Sequence, residues 1–261
     1  MISSNYHTHT LYCDGKDTPE ELVKEAISLG MCEIGFSGHS YTWFDESYCM
    51  SLANTKKYKE DINALKDKYK DKIKIYLGIE QDYYSEEPTD DYDFVIGSVH
   101  YVKAFDKYLP IDESRDELIK AVKEYFDGDF YALAEEYYKC VADVVTKTKC
   151  DIIGHFDLVT KYNKDGLLFD ENNIRYINAE DFALNTLLKS GKIFELNTGG
   201  VLRGHRTKPY LSERALNKII EEGGKIVFSS DCHNKQYLLY GRELMDAIND
   251  ENIIKALRSE K

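Results

Sequence analysis

The chain has 261 residues, with 34 basic against 47 acidic side chains and a net charge of −13. The length suits one domain (1–261) that buries roughly 70% or more of its unfolded surface, and the acidic balance excludes a nucleic-acid backbone or an anionic membrane as the main partner. No apolar run approaches the ~20 residues of a membrane span, MISSNYHTHT is no secretory leader, and the cysteines at 13, 32, 49, 140, 150 and 232 form no CxxC pair, so a cytoplasmic protein with reduced thiols is expected.

Short apolar runs that read as strands alternate with longer helical ones. A first strand over 4–9 ends on His7 and His9, which share a face because residues i and i+2 of an extended chain do. Thr18, Pro19 and Glu21 make a capping box with proline at the first helical position, and Gly30 stops that helix. Strands over 33–37, 73–79 and 94–98 are followed by His39, Glu80 and His100. Residues 112–148 hold two helical patterns where one crossover helix suffices, so a helical insertion is expected there. The fifth strand, 151–155, carries His155; the sixth spans 193–197; the seventh, 225–230, leads to Asp231 and His233, which share a face if the strand continues that far. Asn54, Asp170 and Ser212 are candidate caps, with Gly191 and Gly223 as stops. Strand–helix alternation of this kind predicts an α/β fold with a parallel sheet.

Six of the seven histidines fall in five islands: HTHT at 7–10, GHS at 38–40, SVH at 98–100, GHFD at 154–157 and SDCH at 230–233. Imidazoles and carboxylates gathered from distant parts of a chain are what a catalytic metal site needs. All the islands lie at carboxyl ends of strands. In a (β/α) barrel those ends converge on one rim, whereas an open sheet spreads them along a crevice, so a closed or nearly closed seven-stranded barrel is predicted. Glu80 and Asp231 alone would read as solvated acids or caps; their positions among the islands make them ligand candidates. Asp14, in DGKD, equally suits an ordinary turn. His205 stands outside the islands and reads as structural, as do Cys13 and Cys232.

Taken in order, HTHT, GHS, Glu80 in GIEQDY, GSVH, GHFD and SDCH resemble the polymerase-and-histidinol-phosphatase superfamily from about residue 5 to residue 240. DFVIGSVHYV, LPID, DIIGHFDL and ELNTGG resemble most its monofunctional histidinol-phosphatases. The resemblance implies a distorted, TIM-like (β/α)7 barrel holding three divalent metal ions: the first on His7, His9, Glu80 and Asp231, the second on Glu80, His100 and His155, the third on Asp14, His39 and His233. Zinc is the first expectation, with manganese and iron compatible with the same mixed shells. A carboxylate can bridge two cations, which suits Glu80, and two metals roughly 3.5–4 Å apart can activate water between them. Many histidinol-phosphatases of this type carry a histidine just after Asp14; this chain has Gly15.

A phosphatase also needs donors to phosphate oxygens. VLRGHRTKPY at 201–210, on the same rim, offers Arg203, Arg206 and Lys208, with Arg203 the first choice and Lys161 a weaker candidate elsewhere. Glu80, Asp231 and Arg203 are thus the expected catalytic residues; for the general acid, Asp231 and a water on the metals stay open. Trp43, Phe44, Asp45, Asp112 and Glu113 are candidates, by loop position, for the far end of a small phosphorylated substrate. The expected activity is hydrolysis of L-histidinol phosphate to L-histidinol and phosphate. Alternatives are a phosphatase or phosphodiesterase acting on nucleotides or phosphotyrosine, or a metal-binding regulatory module without turnover.

Overall fold

Apolar runs and cap residues translate into the following order in the computed structural model, which describes residues 4–248 and 250–254. Strand β1 (Ser4–Asn5) precedes α1 (Pro19–Ser28), β2 (Glu33–Phe36), α2 (Leu52–Tyr69), β3 (Lys74–Asp82) and β4 (Phe94–Ser98). A hairpin, β5 (Tyr101–Ala104) with β6 (Lys107–Pro110), leads to α3 (Arg115–Tyr125) and α4 (Phe130–Thr148). The chain continues through β7 (Ile152–Ile153), α5 (Ile174–Leu188), β8 (Ile193–Asn197), the single turn α6 (Gly199–Leu202), α7 (Glu213–Glu221) and β9 (Lys225–Ser229). Thr18 forms the full capping box, and Ser212 caps α7. Two expected caps are displaced: Ser51 caps α2 and binds the Asn54 N–H, while Asn173 caps α5. No helix among the described residues is long and apolar enough to cross a membrane.

Seven strands pair in parallel in the order β1-β2-β3-β4-β7-β8-β9. Thr8 closes the ring against Cys232 as a parallel bridge, with His9 N donating to Cys232 O at 3.0 Å and Cys232 N to His7 O at 3.3 Å. The fold is a distorted, nearly closed (β/α)7 barrel. Its helices bury apolar faces spaced three and four residues apart, such as Leu133, Ala134, Tyr137, Tyr138, Val141 and Val144 of α4. Helix α4 packs on β4 and α5, as a crossover helix does, while α3 packs on the hairpin strand β6. The departure from a plain barrel therefore begins with the hairpin at Tyr101, which the sequence did not announce.

Inside the barrel, Tyr6, Tyr76, Phe94, Ile96, Ile152 and Val227 form an apolar floor below the rim. The ring of Phe94 fills space that side chains at Gly35 and Gly78 would occupy. Tyr6 and His7 both point inward, Tyr6 onto Tyr76 and Phe94 and His7 onto Glu80. Two consecutive inward residues break the period of two, as a bulge does. This is why regular pairing ends at Asn5 and not at the expected His9.

Candidate metal centre

Glu80 is the hub. Strand β3 runs five residues further toward the rim than a strand begun at Lys74 and matched to β2 needs, and Glu80 sits there at 1% exposure. Its Oε2 lies 3.1 Å from His7 Nε2, 3.6 Å from His9 Nε2 and 2.9 Å from His39 Nδ1. Its Oε1 lies 3.3 Å from His100 Nε2 and 2.9 Å from His155 Nε2. The loop bearing His39 is fastened by backbone bonds, Glu80 N to Gly38 O at 3.1 Å and Ser40 N to Glu80 O at 2.9 Å.

Two further carboxylates complete the cluster. Asp231 Oδ1 stands 3.2 Å from His9 Nε2 and 3.7 Å from His7 Nε2. Asp14 reaches His233 Nε2 at 3.0 Å, His9 Nδ1 at 3.5 Å and His39 Nε2 at 3.8 Å. Strand β9 ends at Ser229 and Asp231 has φ 47, so Asp231 and His233 meet through a left-handed turn rather than along an extended face as expected. Gly15 explains its own identity: a Cβ there would strike Thr10 N at 2.5 Å and the His9 carbonyl carbon at 2.6 Å. The bare backbone lets the Asp14 turn lie directly on the segment after β1 that carries His7 and His9.

Do these atoms fit divalent cations? His7 Nε2, His9 Nε2 and Glu80 Oε2 are buried, face one another, and have no hydrogen-bond partner among the described residues. Buried polar atoms are almost always satisfied, so three orphans converging on one point mark a place for a cation. Ligating atoms of His39, Glu80 and His100, and those of His9, Asp14, His39 and His233, likewise lie within 4.8 Å of one another. His39 thus stands between the second and third expected sets, and His9 reaches toward the third.

Electrostatics point the same way. Burial pushes the Glu80 carboxyl up, yet His7, His39 and His100 together hold it well below the usual range. Burial likewise opposes the charged form of His7, but Glu195, Glu80 and Asp231 outweigh it and raise that imidazole well above its ordinary value. His9 is driven down to about 3 by burial and by the neighbouring His233 and His39. Carboxylates held anionic beside imidazoles competing for protons form a site that positive charge stabilises.

Two carboxylates that sequence reasoning missed orient the imidazoles. Glu195, on β8, lies 2.5 Å from His7 Nδ1 and accepts from His155 N at 2.7 Å, Asn197 Nδ2 at 3.0 Å and the Ser229 hydroxyl. Asp82 lies 3.1 Å from His100 Nδ1. Each leaves the imidazole's Nε2 free to ligate. The available signals were a lone glutamate inside the apolar run IFELN and an acid two residues beyond Glu80, on the same strand face.

The cluster opens into a cavity of about 480 Å³. Arg203 lines it, with Nη1 3.2 Å from Asp231 Oδ2 and Nη2 2.9 Å from His233 Nδ1. Lys161 lines it too, donating to Asp112 O at 2.7 Å and Oδ2 at 3.1 Å. Arg206 does not: it lies outside the cavity and pairs with the fully buried Asp157 at 3.3 Å, because that carboxylate needs a counter-charge. Asp45, Asp112 and Glu113 also line it, whereas Trp43 and Phe44 do not and pack on Tyr108. His205 stays outside the cluster, edge-on to Tyr162. Cys13 Sγ stands 3.6 Å from His9 Nδ1, Cys232 is fully buried, and all six cysteines are free.

Comparison with known proteins agrees with this geometry. The histidinol-phosphatase of Bacillus subtilis is 28% identical over 270 residues, spanning 93% of this chain and 98% of that one. A candidate histidinol phosphatase of Listeria monocytogenes has the same fold, with a TM-score of 0.81 over 92% of this chain and 99% of its own at 20% identity. The histidinol phosphate phosphatase of Lactococcus lactis, crystallised with zinc, L-histidinol and phosphate, gives 0.65 over 94% and 93% at 23% identity. The PHP domain family matches residues 5–199. The chain belongs to the PHP domain family.

Proposed function

We propose that this protein is a metal-dependent phosphomonoesterase that hydrolyses L-histidinol phosphate to L-histidinol and phosphate, a step of histidine biosynthesis. The observation that carries the metal chemistry is the convergence of three buried ligand atoms, His7 Nε2, His9 Nε2 and Glu80 Oε2, which have no hydrogen-bond partner among the described residues, beside the cavity that Glu80 lines. The substrate follows from similarity along nearly the whole chain to the histidinol-phosphatase of B. subtilis.

Three divalent ions, zinc first, are assigned to His7, His9, Glu80 and Asp231; to Glu80, His100 and His155; and to Asp14, His39 and His233. Bound there, such ions supply Lewis-acid neutralisation of the phosphoryl oxygens and make water nucleophilic at neutral pH. Glu80 shares its two oxygens between the first two sets. Glu195 and Asp82 hold the His7 and His100 rings in the tautomer whose Nε2 lone pair ligates. Arg203 binds phosphate oxygens with its guanidinium fork, exchanging its contact with Asp231 for the more highly charged phosphate. On the cavity wall, Asp45 and Glu113 receive the substrate's ammonium and imidazole; Asp45 is pre-positioned by the Tyr101 hydroxyl at 2.7 Å. Asp112 is already neutralised by Lys161, so that lysine braces the wall rather than binding phosphate. The enzyme is placed in the cytoplasm, where its six free thiols stay reduced.

Kinetics of the metal-loaded protein on histidinol phosphate, nucleoside monophosphates, phosphotyrosine and an aryl phosphate test the proposal. The highest kcat/KM should belong to histidinol phosphate. Preference for a nucleotide or phosphotyrosine would overturn the substrate and leave the phosphatase chemistry; no phosphate release from any of them would overturn both.

A further inference from the structure

Tyr210 places an unpartnered hydroxyl at the metal end of the cavity. The side chain is 1% exposed and lines the cavity together with Arg203, His155 and Asp231. Its oxygen has no hydrogen-bond partner among the described residues. Leaving a buried hydroxyl unsatisfied costs roughly 1–3 kcal/mol, and such groups are rare enough that each calls for an explanation. An orphan that borders a ligand cavity is explained if the ligand is its partner.

The surroundings hold this phenol rigidly and from behind. Tyr210 N donates to Asn197 O at 2.8 Å, pairing the two residues as an isolated antiparallel bridge. Leu211 has φ 86, a left-handed backbone that leucine keeps only where neighbours enforce it, and its N–H donates to Asp157 Oδ1 at 2.6 Å. The same Asp157 holds Arg206, whose guanidinium lies 4.9 Å over the Tyr210 ring. Beneath the ring, Gly200 leaves the space: a Cβ there would stand 2.9 Å from ring carbons and 3.0 Å from the hydroxyl oxygen. Arg206, which the sequence suggested as a phosphate ligand, thus positions Tyr210 instead. Burial pushes the phenol's pKa up against the opposing pull of Arg206 and Arg203, so the group remains a neutral donor.

We infer that the Tyr210 hydroxyl donates a hydrogen bond to an oxygen of the substrate's phosphoryl group, beside the Arg203 guanidinium. The inference rests on the phosphatase function proposed above. The contact transfers no proton; the phenol keeps its hydrogen throughout, and its acceptor is charged, which strengthens the bond.

Tyr210→Phe removes the hydroxyl and keeps the ring. Two quantities are read on metal-quantified holoenzyme: binding of inorganic phosphate by titration calorimetry, and kcat/KM for histidinol phosphate and an aryl phosphate. The expected result is a 10- to 100-fold loss in phosphate affinity and a similar loss in kcat/KM on both substrates, with metal content and thermal midpoint at wild-type values. Equal phosphate binding by variant and wild type overturns the inference and leaves the phosphatase intact. A loss confined to the alkyl ester, whose leaving group is the more basic, would make Tyr210 a general acid and overturn the stated role. If wild type neither binds phosphate nor hydrolyses any phosphomonoester, the phosphatase function and the Tyr210 contact fall together.

Discussion

Glu195→Gln should disable the first metal set without touching a ligand, and the reason can be followed atom by atom. In the wild type each carboxylate oxygen of Glu195 faces two donors: Oε1 faces His7 Nδ1 and the Ser229 hydroxyl, and Oε2 faces His155 N and Asn197 Nδ2. A glutamine offers one oxygen and one NH2. The oxygen must stay at the Oε2 position, because a backbone N–H cannot reverse and Asn197 cannot flip while its Oδ1 accepts from Gly199 N at 2.8 Å. The NH2 then faces Ser229, whose hydroxyl can rotate to accept, and His7 Nδ1, which can accept only by moving its proton to Nε2. That atom is the one aimed at Glu80 and Asp231. A protonated Nε2 has no lone pair for a metal. Changes to groups that orient a metal-bound histidine typically cost 10- to 100-fold in affinity or activity, which is about 1.4–2.8 kcal/mol. Competition with a chromophoric chelator measures the affinity, and imidazole nitrogen chemical shifts of the zinc-loaded protein report which ring nitrogen of His7 keeps its proton. Wild-type affinity in Glu195→Gln, or a His7 ring still protonated at Nδ1, would refute the reasoning.

Glu80→Gln should weaken two metals together, since one neutral oxygen replaces two charged ones between five imidazoles, while His233→Asn should mainly reduce occupancy of the third set; elemental analysis of each variant distinguishes the two patterns, and wild-type metal content in Glu80→Gln would remove it as the shared ligand. Arg203→Ala should lower kcat/KM for histidinol phosphate by one to three orders of magnitude, about 1.5–4 kcal/mol for a charge-assisted contact strengthened in the transition state. Metal content should hold, since Arg203 supplies no ligand atom and Asp231 keeps its own approach to His7 and His9. Full activity would leave it a bystander cation.

The histidine islands were legible in the sequence because strand ends of a parallel barrel converge, and residues as far apart as His7 and Asp231 had no other shared destination. What escaped was whatever depends on tertiary contact alone. Glu195 lies within a five-residue strand of which all but the first residue are buried, and its meaning appears only once His7, Asn197 and Ser229 surround it. The hairpin at 101–110 turns at Phe105 with φ 54, and no glycine or asparagine marks that turn. Asp231 and His233 meet through a left-handed turn that a pattern of alternation cannot foresee. Arg203 and Arg206 look equivalent three residues apart, but a buried Asp157, 49 residues away in the chain, claims one of them.

Divalent metal ions held at the His7/His9/Glu80 cluster should be what makes this protein a histidinol phosphatase. The most direct test of this removes the metals with a chelator and titrates zinc back, following both bound metal per chain and phosphate released from L-histidinol phosphate. The stripped protein should show no turnover, with recovery that saturates at close to three ions per chain. Phosphate release at an undiminished rate without metal, or none at full metal occupancy, would contradict it.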